Sequence, residues 1–177
     1  MRKKIIFLLI FVFLFLSIGY YYSDHFYYTR IIRENHLKTP VDVYFWVLQN
    51  NPSAEFTKTR PAPYVSPRFN IENKRLLFCD EGSIVIATLD NELGYQTRLI
   101  DLIGFDSLAH HTILEVYENN RWKKYDFFRS KYDQPYVVSA VGFKLLRIKV
   151  KEYPKLYNFF LKKLFFFLRK IDEAQYK

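Results

Sequence analysis

The sequence predicts an α+β domain, and three observations carry that expectation. Apolar residues recur near helical spacing through CDEGSIVIATLDNELG, at Ile84, Ala87, Leu89 and Leu93, and Gly94 is a natural C-terminal stop. YQTRLIDLIG then alternates as a strand does. HTILEVYE and RWKKYDFF follow, joined at Asn119-Asn120, a dipeptide that tolerates the positive φ of a tight hairpin turn. A helix followed by antiparallel strands is the layering of an α+β domain.

In chain order, the first element is apolar. MRKK precedes IIFLLIFVFLFLSIG and YYY, the layout of a signal anchor or a signal peptide. The run from Ile5 to Gly19 is slightly short of the roughly 20 residues that a bilayer span needs. Tyr20 to Tyr22 extend it by a turn, and tyrosine favours the headgroup interface. Residues 1–22 are therefore expected to be a transmembrane signal anchor with its basic end in the cytoplasm and the rest extracytoplasmic. Cleavage near Gly19 is the alternative, because Ser17 and Gly19 place small residues where a signal peptidase inspects them. No cysteine follows the run, which excludes lipoprotein processing.

Residues 23–40 are expected to form a juxtamembrane stalk ending at Pro40, and 41–150 the domain proper. VDVYFWVLQNN has the length and spacing of a short helix that stops at an asparagine pair. Residues 51–70 hold four of the seven prolines and are expected as an ordered surface loop. RLLF, from Arg75, leads into Cys79. The β-branched content of the segment after Cys79 keeps a strand open as an alternative for its middle. Phe105 to His110 should turn, and Tyr136 to Val150 should add one or two strands. From Pro154, Leu156, Phe160, Leu164, Phe167, Leu168 and Ile171 fall on one side of a helix and Lys155, Asn158, Lys162, Arg169 and Lys170 on the other. Residues 151–177 thus read as a basic amphipathic helix that either lies on a membrane surface or packs on the domain.

The chain has 177 residues and a mass of 21.5 kDa, enough for one domain with appendages, and 50% hydrophobic and 20% aromatic content excludes wholesale disorder. A net charge of +9 suits anionic lipid, nucleic acid or cell-wall polyanions alike. Nucleic acid is not expected as a partner. There is no zinc-finger spacing, RNP-like motif or basic recognition helix, and much of the charge sits at the two ends. The single cysteine, Cys79, cannot form an internal disulfide and is either packing or a reactive thiol.

Cys79 falls at the expected start of a helix, where the macrodipole and unpaired N–H groups favour a thiolate. His111 opens the first hairpin strand and Asp126 lies late in the second. With the turn at 119–120, the two can stand side by side. A thiol, an imidazole and a carboxylate in this order make a nucleophile, a proton shuttle and an orienting group. The charges of Asp80 and Glu81 work against thiolate formation.

These residues carry a resemblance. Cys79 is followed by Glu81, Ser83, Leu93-Gly94 and Arg98, and HTILEVYENNRWKKYD supplies His111, Glu115, Val116, Trp122 and Asp126. Over roughly residues 75–130 this order resembles the three motifs of the transglutaminase-like (papain-fold) superfamily. The resemblance implies a papain-like core with the nucleophile at a helix N-terminus packed on an antiparallel sheet. It implies thiol-mediated acyl transfer on protein or peptide amides, as hydrolysis or cross-linking, with no metal and no organic cofactor. Cys79 would be the nucleophile, His111 the general base and then acid, and Asp126 the orienting group. His110 is off by one in register and turns to the opposite face. Two departures stand out: Leu77 occupies a position where members often have Gly, and Ile113 one that is commonly aromatic. Besides the Cys79 backbone N–H, the second oxyanion donor has only Trp46 and Tyr64 as candidates. The expectation is a membrane-anchored cysteine hydrolase or acyltransferase in contact with lipid. An inactive binding or scaffold module with the same fold is the alternative.

Overall fold

The computed structural model describes residues 2–54, 66–104, 109–128, 130–133 and 145–152. Among them are four helices, α1 (Arg2–Glu34), α2 (Pro40–Asn50), α3 (Pro67–Glu72) and α4 (Cys79–Glu92). Five strands follow: β1 (Gln96–Gly104), β2 (Ala109–Glu118), β3 (Arg121–Asp126), β4 (Lys131–Tyr132) and β5 (Leu145–Glu152). The strands form one sheet in the order β4-β3-β2-β1-β5, antiparallel throughout. The α+β class is therefore that of the molecule.

Local chemistry explains where the helices begin. Thr39 caps α2 by accepting from the Asp42 N–H at 3.2 Å, while the Asp42 carboxylate accepts from the Thr39 N–H at 2.9 Å, with Pro40 in the first turn. Ser66 caps α3 in the same way through the Phe69 N–H at 3.2 Å. This six-residue helix lies where the proline-rich loop was expected to run on to residue 70. Proline fits a first helical turn, so a proline count alone hides such a start.

α4 is a helix along its whole length, which removes the strand alternative. Residues 80 to 90 are buried without a break. A helix buried all round needs no polar stripe, so its β-branched residues are packing rather than a strand signal. α2, α3 and α1 lie against it on one side and β1, β2 and β3 on the other. Ile84, Val85, Ile86 and Leu89 meet Val43, Tyr44, Val47, Leu77, Leu99, Leu114, Val116, Tyr125 and Phe127 in one core. Gly94, at φ +91°, ends the helix in a conformation that favours glycine.

The hairpin follows its expected register. Asn119 and Asn120 have φ of +53° and +59°, which suits a primed two-residue turn, and Glu118 pairs with Arg121 and Leu114 with Tyr125. β2 begins at Ala109, so 109 and 110 belong to the strand rather than to the expected turn, whose residues 105–108 lie outside the description. β5 supplies one of the strands expected between Tyr136 and Val150. The expected tail helix from Pro154 and the loop residues 55–65 lie outside the described residues.

The N-terminal segment differs most from its reading. Residues expected as a stalk continue α1 without a break to Glu34, and this end of the helix belongs to the domain. Tyr27, Tyr28 and Asp24 are buried, and the Arg68 guanidinium lies 3.7 Å from Asp24 and 4.7 Å from the Tyr27 ring centroid. His25 pairs with Glu92 of α4 at 2.8 Å. The other end of α1 exposes Ile5, Ile6, Phe7, Leu8, Phe11, Val12 and Phe15. Among the described residues no helix is long and apolar enough to cross a membrane. The side chains at 9–10, 13–14, 16–18 and 20–21 lie outside that description.

Two features of α4 make predictions. A β-carbon at Gly82 would lie 2.6 Å from Cε1 of the buried Phe127 ring and nearer still to two other ring carbons. Gly82→Ala should therefore lose about 1–3 kcal/mol of stability in chemical denaturation, although alanine is the better helix former. Asp90 is wholly buried, with both carboxylate oxygens lacking hydrogen-bond partners. Burial, and then the charge of Glu118, holds its carboxyl well above the usual range. The folded protein binds this proton more tightly than the unfolded chain. Stability is thus fully present below the ordinary carboxyl pKa and falls as pH rises toward the folded value. Asp90→Asn should match the wild type near pH 4 and exceed it at pH 8 in denaturation midpoint.

Candidate active site

The site forms where β2 begins, β3 stops and α4 starts. Side chains alternate along a strand, so the observed register puts His111, Glu115, Trp122 and Asp126 on one face of the sheet and Leu114, Val116 and Tyr125 on the other. α4 packs on the second face, and its first residue reaches the end of the strands. His111 Nε2 and Asp126 Oδ2 are 2.9 Å apart, and both residues are buried, at 4% and 8% exposure. The Cys79 side chain, half-buried, hydrogen-bonds the same imidazole. The three residues chosen from the sequence are thus brought together, with the imidazole in the middle.

Burial pushes the His111 pKa down, but the hydrogen bonds from Asp126 and Cys79 and the charges of both outweigh it and raise the pKa to about 9. A protonated imidazole is the state this environment favours. The helix terminus adds to it. Phe78, in the cap position, has no side-chain acceptor to offer the first-turn N–H groups. As the first helical residue, Cys79 has no intrahelical acceptor for its own N–H, so that N–H is the natural first donor to an oxyanion.

The remaining motif residues hold this geometry in place. Glu81 Oε2 accepts from the Phe78 N–H at 3.1 Å and Ser83 Oγ donates to the Cys79 carbonyl at 2.7 Å, which together fix the first turn of α4. Arg98 of β1 contacts Glu115 Oε2 of β2 through Nε at 2.7 Å and Nη2 at 2.6 Å. The same guanidinium stands 4.1 Å over the Trp122 ring of β3. One cation thus ties three strands together on the face that carries His111 and Asp126.

Of the oxyanion candidates, Trp46 packs half-buried against the main core from α2, and Tyr64 lies outside the described residues. His110 is in β2, but its side chain is likewise outside the description. Three contacts were not read from the sequence. Phe128 sets its ring edge-on to His111, centroids 6.0 Å apart. Phe127 packs on Gly82, and Tyr44 of α2 donates to the Asp126 backbone carbonyl at 2.9 Å. A glycine in a helix interior, where it costs stability, was the one available signal, and it marks the close approach of Phe127.

No family model and no curated protein matches this chain. The resemblance to transglutaminase-like proteins accordingly rests on the motif residues of the sequence.

The raised His111 pKa has a direct consequence for pH dependence. The folded state holds the imidazole proton more tightly than the unfolded chain. Its contribution, roughly 3 kcal/mol, is full below about pH 6.5 and is lost as pH rises toward about 9. Ring-proton NMR titration should place His111 near 9, and in Asp126→Asn the midpoint should fall toward the ordinary histidine value.

Proposed function

We propose that this protein is a membrane-associated cysteine hydrolase or acyltransferase of transglutaminase-like type, acting on protein or peptide amides through a covalent thioester. The observation that carries the reading is the Cys79–His111–Asp126 line, its imidazole and carboxylate buried and its half-buried thiol on a helix N-terminus. A buried histidine held between a thiol and a carboxylate serves packing poorly and proton transfer well.

The chemistry follows from the placement. The Cys79 sulfur, its proton on His111, attacks the amide carbon, and the electron pair of the carbonyl moves to oxygen. The Cys79 N–H stabilises that oxyanion. As the tetrahedral intermediate collapses, the C–N bond breaks and the imidazolium gives its proton to the leaving nitrogen, which departs as ammonia or an amine. The acyl group remains on sulfur. His111 then takes a proton from water or from an acceptor amine, whose attack on the thioester restores the thiolate and yields acid or a new amide. Asp126 holds the ring and stabilises its charged form through both halves of the cycle.

Attachment to lipid is part of the proposal. MRKK followed by the apolar run is the observation behind it, and the exposed Ile5, Ile6, Phe7, Leu8, Phe11, Val12 and Phe15 leave that end of α1 with apolar surface to cover. With its basic end in the cytoplasm, the site would work on the extracytoplasmic side.

The test is thiol chemistry in the full-length detergent-solubilised chain. Cys79 should be alkylated by iodoacetamide at pH 7 at least ten-fold faster than a free cysteine. Cys79→Ala should abolish labelling, and His111→Ala should return the rate to that of an ordinary thiol. A wild-type rate equal to free cysteine, unchanged in His111→Ala, would leave the catalytic reading without support.

A further inference from the structure

Asp126 is the last residue of β3, and the chain leaves the sheet immediately after it. On the β2 side the ladder stops at the Leu114–Tyr125 pair, and Asp126 pairs only with Lys131 of the two-residue β4. The Asp126 carboxylate must nonetheless hold its place beside His111 to within a few tenths of an ångström, which calls for support beyond so short a ladder.

The contact that supplies it comes from α2, an element outside the motif region. Tyr44 is wholly buried, and its ring packs edge-on against Tyr125, the residue before Asp126, with centroids 5.4 Å apart. Its hydroxyl crosses to the Asp126 carbonyl oxygen at 2.9 Å, over a sequence separation of 82 residues. On the other side of Asp126, Phe127 is locked against Gly82 of α4. The residue is therefore gripped at its backbone oxygen by one helix and through its neighbour by another. We propose that Tyr44 is a positioning residue of the active site: its hydroxyl fixes the end of β3 and thereby sets the Asp126 carboxylate against His111.

Chemistry supports the donor role. Burial first, and then the charge of Asp126, pushes the Tyr44 phenol well above its ordinary pKa, so the group stays a neutral donor at any pH at which the protein is folded. The capping box at Thr39 and Asp42 fixes the start of α2 one turn earlier, which sets the height at which the hydroxyl arrives. The groups acting on the His111 proton are Asp126 and Cys79, and only the first is reached by Tyr44.

Tyr44→Phe removes one oxygen and keeps the ring against Tyr125. In the full-length chain, with the His111 ring followed by NMR, its titration midpoint should fall by half a unit or more, a loss of about three-fold in proton affinity. Asp126→Asn sets the full extent of the fall. Val47→Ala, also buried in α2 but away from Asp126, should lower the melting temperature and leave the His111 midpoint in place. The assignment is overturned if Tyr44→Phe lowers the melting temperature with no movement of the midpoint, or if Val47→Ala moves it equally. The proposal rests on the catalytic reading only for its effect on rate. An unreactive wild-type thiol would sink that reading while the His111 titration still reports on Tyr44.

Discussion

The structure depends on a helix that has no solvent face. α4 is enclosed by three helices and the sheet, so each residue from 80 to 90 must be satisfied by packing or by a buried partner. The two ends escape full enclosure, Asn91 and Glu92 at one and Cys79 at the other. A thiol on the open end of a wholly buried helix cannot drift, because any rotation or translation of α4 would drive Ile84, Val85, Ile86 and Leu89 into a close-packed core. Cys79 is thus positioned by apolar packing far more than by contacts of its own.

That packing sets the rest of the site by exclusion. Gly82 exists because the Phe127 ring occupies the space of a side chain there, and the contact pulls the end of β3 down onto the first turn of α4. Asp126 and Cys79 are brought near one another by a hydrophobic contact one residue from Asp126 and three from Cys79. His111 then completes the line from β2. Arg98, Glu115 and Trp122 hold the three strands at the distances this needs, which makes them bracing residues within a motif that otherwise reads as catalytic.

Much of this was legible in the sequence, and for identifiable reasons. Local signals located α2, α4, β1 and the β2–β3 hairpin: helical spacing closed by an asparagine pair, a glycine at a helix end, alternation along a strand, an asparagine pair at a turn. The hairpin register, once its turn was known, put Asp126 beside His111 by arithmetic. What stayed hidden depends on tertiary contact. α1 continues past Tyr22 because Tyr27 and Tyr28 find a core to enter, and no local pattern separates such a segment from a stalk. α3 is capped and closed within one turn of a proline-rich stretch whose composition reads as loop. Tyr44 lies 82 residues from its partner, and its hydroxyl has no signature in α2 beyond being a tyrosine on an apolar face.

A site with its charges so deeply placed has to balance two opposed demands. Burial of His111 penalises the imidazolium, and an isolated histidine in this position would be neutral. Placing a carboxylate and a thiol against the ring reverses the sign, so the protonated ring becomes the favoured state. The same burial that makes the proton costly to hold alone strengthens each hydrogen bond that holds it. Removing either partner would therefore expose the ring to the uncompensated cost of burial, and the pair works only as a unit with Cys79. This interdependence ties the site to the fold: the enclosure that makes α4 rigid is also the low-dielectric medium in which Asp126 and Cys79 together keep the imidazole protonated.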